Sequence, residues 1–231
     1  MRPCLTRENV LLLAPLFLMA CASPRLVPPS DVADGLVLDA KDRSGATGLF
    51  ADESFGLGPY RVDKVKRKWE QSSSVDMGNY DQRKTTTGYS YQMTGGAVPW
   101  KGVCEVSRNA QKTKTVFGIS MIEADLVLNC ECTGGAQAAR LQLQALPGAK
   151  ITGTVTPAGQ DYAITPLANW PLSQLDQAPG GYRIDGTDGA RGALEARPGR
   201  IWYTSKLPEA EREPATCALV GLMLFIEPKG T

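Results

Sequence analysis

Along much of the chain, apolar and polar residues alternate with a period of two, the pattern of a strand with one buried face. Trp100, Gly102, Cys104 and Val106 share one face, opposite Lys101, Glu105 and Ser107. Leu126, Leu128, Cys130 and Cys132 do the same opposite Asp125, Asn129 and Glu131. Ala139 to Leu146 alternates cleanly, Pro147-Gly148 predicts a turn, and Lys150 to Thr156 follows as a strand. Asp161–Thr165 and Gly181–Ile184 add further strands, and Arg191–Ala196 and Arg200–Thr204 form a hairpin through Arg197-Pro198-Gly199. Earlier, β-branched and aromatic residues make Thr85–Met93 a strand that turns at Thr94-Gly95-Gly96. Tyr60 and Val62 alternate with charges, then Val65, Arg67 and Trp69 resume out of step, a slip that suits a bulge. Gly35–Leu38 begins the fold, Asp39 to Gly58 reads as a long polar loop, and Gln71 to Lys84 as exposed polar chain.

The last segment breaks the alternation. Ala215 to Ile226 is apolar on all sides, and Pro208 with Glu209, Glu211 and Glu213 before it suits a helix N-terminus, with Pro214 a place where the helix restarts. The run is short of the roughly 20 residues a membrane-spanning helix needs, and a helix without a polar face must be buried on every side. A sheet curled around it is the economical solution. The hairpins at Gly181-Tyr182-Arg183-Ile184, Gly192–Ala196 and Arg200-Ile201-Trp202-Tyr203, followed by this helix, resemble the last third of tubby-like and scramblase-like barrels. Those folds wrap about twelve strands round a hydrophobic C-terminal helix. The resemblance covers residues 181–227, rests on pattern rather than an invariant motif, and carries no site residue. The expected fold is therefore mainly β, with antiparallel strands in a barrel or a sandwich and an apolar C-terminal helix packed in or against it. In the sandwich alternative the last segment is a buried strand or a covering helix.

The N-terminus sets the compartment. Val10 to Ala20 is an apolar run with Arg2 and Arg7 before it, diluted by Glu8, and it is too short to span a bilayer comfortably. A charged start, a short apolar middle and a small final residue make a secretory signal peptide. Leu18-Met19-Ala20-Cys21 resembles the lipobox of bacterial lipoproteins. The resemblance implies cleavage between Ala20 and Cys21, acylation of the Cys21 thiol and membrane attachment through the lipid. The absence of Asp at position 22 resembles the sorting pattern for the outer membrane, so the expected location is the bacterial cell envelope, lipid-anchored in the outer membrane and facing the periplasm. The expected organisation is a signal peptide (1–20), a lipidated Cys21 with a Pro-rich tether through residue 34, and one β-rich domain over 35–231. Pro24, Pro28 and Pro29 favour extended, unpaired chain in that tether.

Composition narrows the chemistry. Lys and Arg total 25 and Asp and Glu 24, so nothing in the charge balance calls for a nucleic-acid partner. The chain has no histidine, which removes the commonest general base and the usual zinc ligand and excludes serine or cysteine hydrolases of the common triad type. Ser90 in Gly88–Gln92 misses the nucleophile-elbow pattern at its last position. Beyond the signal peptide and Cys21, four cysteines remain: Cys104, Cys130, Cys132 and Cys217. In an oxidising compartment they read as two disulfides with three possible connectivities. Facing positions on neighbouring strands allow Cys104 to pair with Cys130 or Cys132, the one left over reaching Cys217, and Cys104–Cys130 with Cys132–Cys217 is the favoured set. Free buried thiols are the alternative, and Cys130-Glu131-Cys132 lacks chelating spacing, so no metal and no cofactor are expected.

Asp185-Gly186-Thr187-Asp188-Gly189 lacks calcium-loop spacing and reads as a hairpin turn, although Asp185 and Asp188 are the carboxylates an enzyme would use. Lys64, Lys66, Arg67 and Lys68 form a basic run, either a contact for lipid phosphate or peptidoglycan or a solvated strand face. Trp100, Trp170 and Trp202 read as core. The expected function is a non-enzymatic interaction or assembly role with an envelope protein partner. Carriage of a small apolar ligand in a hollow barrel is the alternative.

Overall fold

The computed structural model describes residues 26–44, 53–76, 80–114, 120–146, 151–167 and 180–225, without the side chains of 114 and 120–123. Thirteen antiparallel strands follow one another: β1 (Leu36–Ser44), β2 (Glu53–Leu57), β3 (Tyr60–Arg67), β4 (Gln71–Asp76), β5 (Tyr80–Thr94), β6 (Trp100–Lys114), β7 (Ser120–Gly134), β8 (Gln137–Ala145), β9 (Thr152–Pro157), β10 (Tyr162–Pro166), β11 (Gly181–Gly186), β12 (Gly189–Glu195) and β13 (Arg200–Tyr203). Helix α1 (Glu209–Leu224) ends the described chain. Neighbours in sequence are neighbours in space, β13 returns to β1, and β3 pairs with β5, so twelve strands close a ring with β4 hanging from β5 outside it. Closure leaves no edge in the barrel wall.

The alternation of the sequence becomes an inside and an outside. Cys104, Val106, Leu128, Cys130, Leu141 and Leu143 are buried, while Lys101, Glu105, Glu131, Arg140, Gln142 and Gln144 are exposed. This is the inverse of a membrane-spanning barrel, which turns its apolar residues outward. Helix α1 fills the interior. Residues Pro214 to Leu224 are all buried, and inward side chains reach the helix from strands all round the ring. Tyr89 and Tyr91 on β5 donate to the carbonyls of Gly221 (2.6 Å) and Cys217 (2.7 Å), and the Tyr203 hydroxyl on β13 lies 2.9 Å from that of Thr216. The helix also packs on β6 to β9. It runs through Pro214 without the expected restart.

Burial pushes the phenols of Tyr89, Tyr91 and Tyr203 to ionise well above their ordinary range. Gly221 marks how closely the plug meets the wall. A Cβ there would lie 2.7 Å from the Cys130 sulfur and 2.9 Å from that of Cys104.

One sequence expectation is corrected, and another, the exposed polar chain, takes the form of strands. Asp39 to Gly58 is not a long loop: β1 continues to Ser44 and β2 occupies Glu53–Leu57, with Phe55 and Leu57 buried; residues 45–52 lie outside the description. Gln71 to Lys84 contains β4 and the start of β5. It is polar because these strands run past the barrel mouth and need satisfy only their ladder hydrogen bonds. The slip between Val62 and Val65 is a bulge, with a register shift between Asp63 and Lys66 and a positive φ of 52° at Lys64. The predicted turn at Pro147-Gly148 and the Pro-rich loop through Pro179 lie outside the described residues.

Candidate functional site

The ends of the plug are latched by charge. At the helix C-terminus the last carbonyls have no intrahelical partner, and cations are favoured there. Arg67 donates to the Leu224 carbonyl (3.0 Å) and Arg43 to that of Met223 (3.3 Å). Both guanidiniums also grip Glu53, which is buried to 3% exposure, at 2.6 and 2.7 Å. Each oxygen of this buried carboxylate has a cation, which offsets the cost of removing it from water. At the helix N-terminus, Glu211 accepts from the Tyr162 hydroxyl (2.6 Å) and Glu213 from the Trp100 indole (2.9 Å). Burial, then the Glu211 hydrogen bond, raises the Tyr162 pKa.

The four cysteines meet as two disulfides. Cys104 and Cys130 face each other in register on β6 and β7 with Cα atoms 4.0 Å apart, and Cys132 reaches Cys217 on the plug over 6.2 Å. The second bond fixes the helix to the wall and closes a span of 85 residues. A loop of that size corresponds to about 4–5 kcal/mol in the chain-entropy account.

The remaining candidates separate. Asp185 and Asp188 flank the β11–β12 turn and are each tied to arginine, Asp185 to Arg183 at 2.7 Å and Asp188 to Arg191. The Arg191 hydrogen bond holds the Asp188 carboxyl below its ordinary pKa, opposite to what a general acid needs. Ser90 is half-buried on β5 with no histidine anywhere to activate it. Trp100 and Trp202 are buried, as expected of core, and Trp170 lies outside the described residues. Ala20 and Cys21 also lie outside them. Within the basic run, Arg67 belongs to the Glu53 latch, whereas Lys64, Lys66 and Lys68 are exposed.

Residues 26–34, expected as part of a tether, are packed as a strap across the outside of β11–β13. Leu26 and Val32 are buried against Ala190, Ala193 and Trp202. The Leu26 amide donates to Glu195 at 2.8 Å, and Asp31 forms a two-pronged pair with Arg183 at 2.9 and 2.6 Å. Prolines only forbid ladder pairing. They do not stop the apolar residues between them from docking on a face.

On the opposite side of the ring lies a concavity that sequence reasoning missed. Between β3 and β4, Lys68 to Glu70 leave the ladder while the chain stays pinned to β5. The Lys68 amide donates to the Gly88 carbonyl (2.8 Å) and the Thr87 hydroxyl to the Lys68 carbonyl (3.0 Å). Trp69 is thereby held outward at 85% exposure, the only exposed aromatic among the described residues. Period two through Val65, Arg67 and Trp69 places this indole on an inward face; the polar run that begins at Glu70 was the signal against it. Beside Trp69 opens a groove of about 420 Å³ on the outer surface of β5–β7, bordered by Lys68, Gln71, Glu105, Ser107 and Asn129.

No protein family, characterised protein or solved structure matches this chain. Among the described residues no helix is long and apolar enough to cross a membrane, and no three His, Cys, Asp or Glu residues cluster to hold a metal ion.

Proposed function

We propose that this chain is a lipid-anchored envelope lipoprotein with a non-enzymatic interaction role, facing the periplasm, anchored through Cys21 after cleavage at Ala20. The Trp69 groove on the outside of a filled barrel is the observation that carries the interaction role. A carrier needs a hollow of a few hundred cubic ångströms. The space between the plug and the wall near Phe225, lined by Leu128, Leu143 and Tyr182, is about 10 Å³, which holds no ligand. Among the described residues the space that could take a ligand is therefore the outer groove, where an indole stands in water beside polar side chains that make no hydrogen bond to other described residues. The closed ring around an apolar C-terminal helix supports the tubby-like or scramblase-like reading of the architecture, and no site residue comes with it.

The lipobox at Leu18–Cys21 carries the location. Four residues separate Cys21 from the docked Leu26. At about 3.3–3.6 Å per residue the anchor lies within roughly 18 Å of the barrel wall. The strap thus holds the barrel beside the bilayer. Mass spectrometry of the N-terminal peptide of the full chain, expressed in a bacterium, tests this reading. A diacylglyceryl-modified Cys21 at the mature N-terminus, and retention of the precursor mass in Cys21→Ser, are expected. An unmodified Cys21 in the wild-type chain overturns it.

A further inference from the structure

We infer that the Trp69 groove binds a glycan strand built from N-acetylated amino sugars. The inference deepens the interaction reading by naming its ligand class.

A pyranose presents two kinds of surface, apolar C–H faces and a rim of hydroxyl and acetamide groups. Trp69 supplies a flat apolar platform, and its backbone is fixed on its N-terminal side by the two Lys68 hydrogen bonds. An indole turns about only two side-chain bonds, so covering it costs little conformational freedom. Around it the rim chemistry is matched. Gln71 and Asn129 each present an amide donor and acceptor, as an acetamide does, and Ser107 adds a hydroxyl that works both ways. Glu105 accepts and Lys68 donates. Gln71, Glu105, Ser107 and Asn129 make no side-chain hydrogen bond among the described residues, so their capacity is open to a ligand.

The floor has a structural cause. Gly88 stands in register with Glu105, which pairs with Asn129, so one row of the outer face reads glycine, carboxylate, amide. A Cβ at Gly88 would lie 2.7 Å from the Cys104 carbonyl oxygen and 3.5 Å from the Lys68 side chain. The missing side chain leaves room for the Lys68 stem, which lines the groove together with Glu105 and Asn129. Three strand spacings from β4 to β7 give the groove a width of about 14 Å. It lies on the outer surface of the sheet, so a polymer can cross it.

Charge decides between this ligand and a bilayer surface. Lys64, Lys66 and Lys68 beside an exposed indole would suit anionic headgroups. The groove, however, is concave, and it places the Glu105 carboxylate opposite Lys68, so a phosphate settling on Lys68 meets a like charge. A neutral acetamido sugar uses both groups.

The test uses the full chain reconstituted through its own anchor in phosphatidylethanolamine–phosphatidylglycerol vesicles, titrated with the β-1,4-linked tetrasaccharide of N-acetylglucosamine. Calorimetry and iodide quenching of indole emission are the readouts. Expected are saturable binding, protection of Trp69 from iodide only when sugar is added, and at least tenfold weaker binding to the glucose tetrasaccharide, which lacks acetamides. Trp69→Ala should weaken binding at least tenfold with an unchanged unfolding midpoint, Trp69→Phe should retain most of it, and Asn129→Ala should cost several-fold. Absence of binding, equal binding by Trp69→Ala, equal binding of the two tetrasaccharides, or protection of Trp69 by the vesicle alone each overturns the proposal. A lipidated chain that ignores the sugar refutes the groove and leaves the envelope reading standing. An unlipidated chain that binds the sugar in water does the reverse.

Discussion

Two tryptophans on the outer surface of this barrel, Trp202 on β13 and Trp69 at the β3–β4 junction, sit on opposite sides of the ring and have opposite fates. Trp202 points away from the plug, yet it is 3% exposed, because the strap lays Leu26 and Val32 over it and the Arg200 guanidinium stacks 5.3 Å from its ring. Trp69 is 85% exposed although the chain next to it is pinned, with the Lys68 N–H and C=O both bonded to β5. The fold thus has a means of covering an external indole and uses it on one side only. Lone exposed apolar residues need no explanation, but this indole stands beside a polar groove, which is what the proposed interaction role rests on.

Replacing each indole breaks the comparison most sharply. Trp202→Ala removes a ring packed between wall and strap and should cost about 3–5 kcal/mol. Trp69→Ala removes a ring that touches mostly water and should change stability by less than about 0.5 kcal/mol. Denaturant unfolding monitored by circular dichroism measures both. Similar costs for the two variants would mean that Trp69 is packed in solution, and the groove would no longer be available to a ligand.

The strap is sharpened next by its buried acceptor. Glu195 is fully buried; one oxygen takes the Leu26 amide and the other has no hydrogen-bond partner among the described residues. Glu53, the other buried glutamate, has an arginine on each oxygen. A carboxylate so incompletely paired marks the strap as less firmly held than the plug. Glu195→Ala leaves the Leu26 N–H without an acceptor and should cost about 1–3 kcal/mol. The loss should be confined to the strap, so that hydrogen exchange quickens at Leu26 to Gly35 before it does in β5–β8. Uniform acceleration through the barrel would instead make the strap part of the cooperative core.

What the sequence revealed and what it hid follows from the same physics. Alternation on β6 and β7 put Cys104, Cys130 and Cys132 on one inward face and left Cys104 a choice of two partners; the structure takes the favoured set, Cys104–Cys130 with Cys132–Cys217. It was legible because facing apolar positions leave a pattern in the chain. β1 and β2 were hidden because their strands carry Asp39, Arg43 and Glu53, polar residues satisfied by distant partners such as Arg200 and Arg67 that no local pattern shows. The strap was hidden by its prolines, and Trp69 by an alternation that resumes after the bulge, holds through Arg67 and fails where the chain leaves the ladder at Lys68. A groove made where a pattern breaks leaves no periodic trace.

The smallest expected effect tests the strap's charge. Asp31 accepts two hydrogen bonds from Arg183, and the first of their consequences is a carboxyl held below its ordinary pKa of 3.8. A group whose folded pKa is lowered contributes stability that is complete above its unfolded value and is lost as the pH falls through the folded one. The pair is half-open to water, so its worth is at most about 1 kcal/mol. In Asp31→Asn the charge is gone at every pH while Arg183 keeps Asp185 at 2.7 Å. Wild-type and variant straps should therefore differ in exchange protection by a constant factor of a few from pH 7 down to about 4, and converge as the pH falls below the lowered Asp31 value. A difference that persisted in acid would assign the effect to packing around Asp31 rather than its charge. No difference at pH 7 would leave the strap held by Leu26, Val32 and the Glu195 hydrogen bond alone, which makes the cover over Trp202 an apolar one.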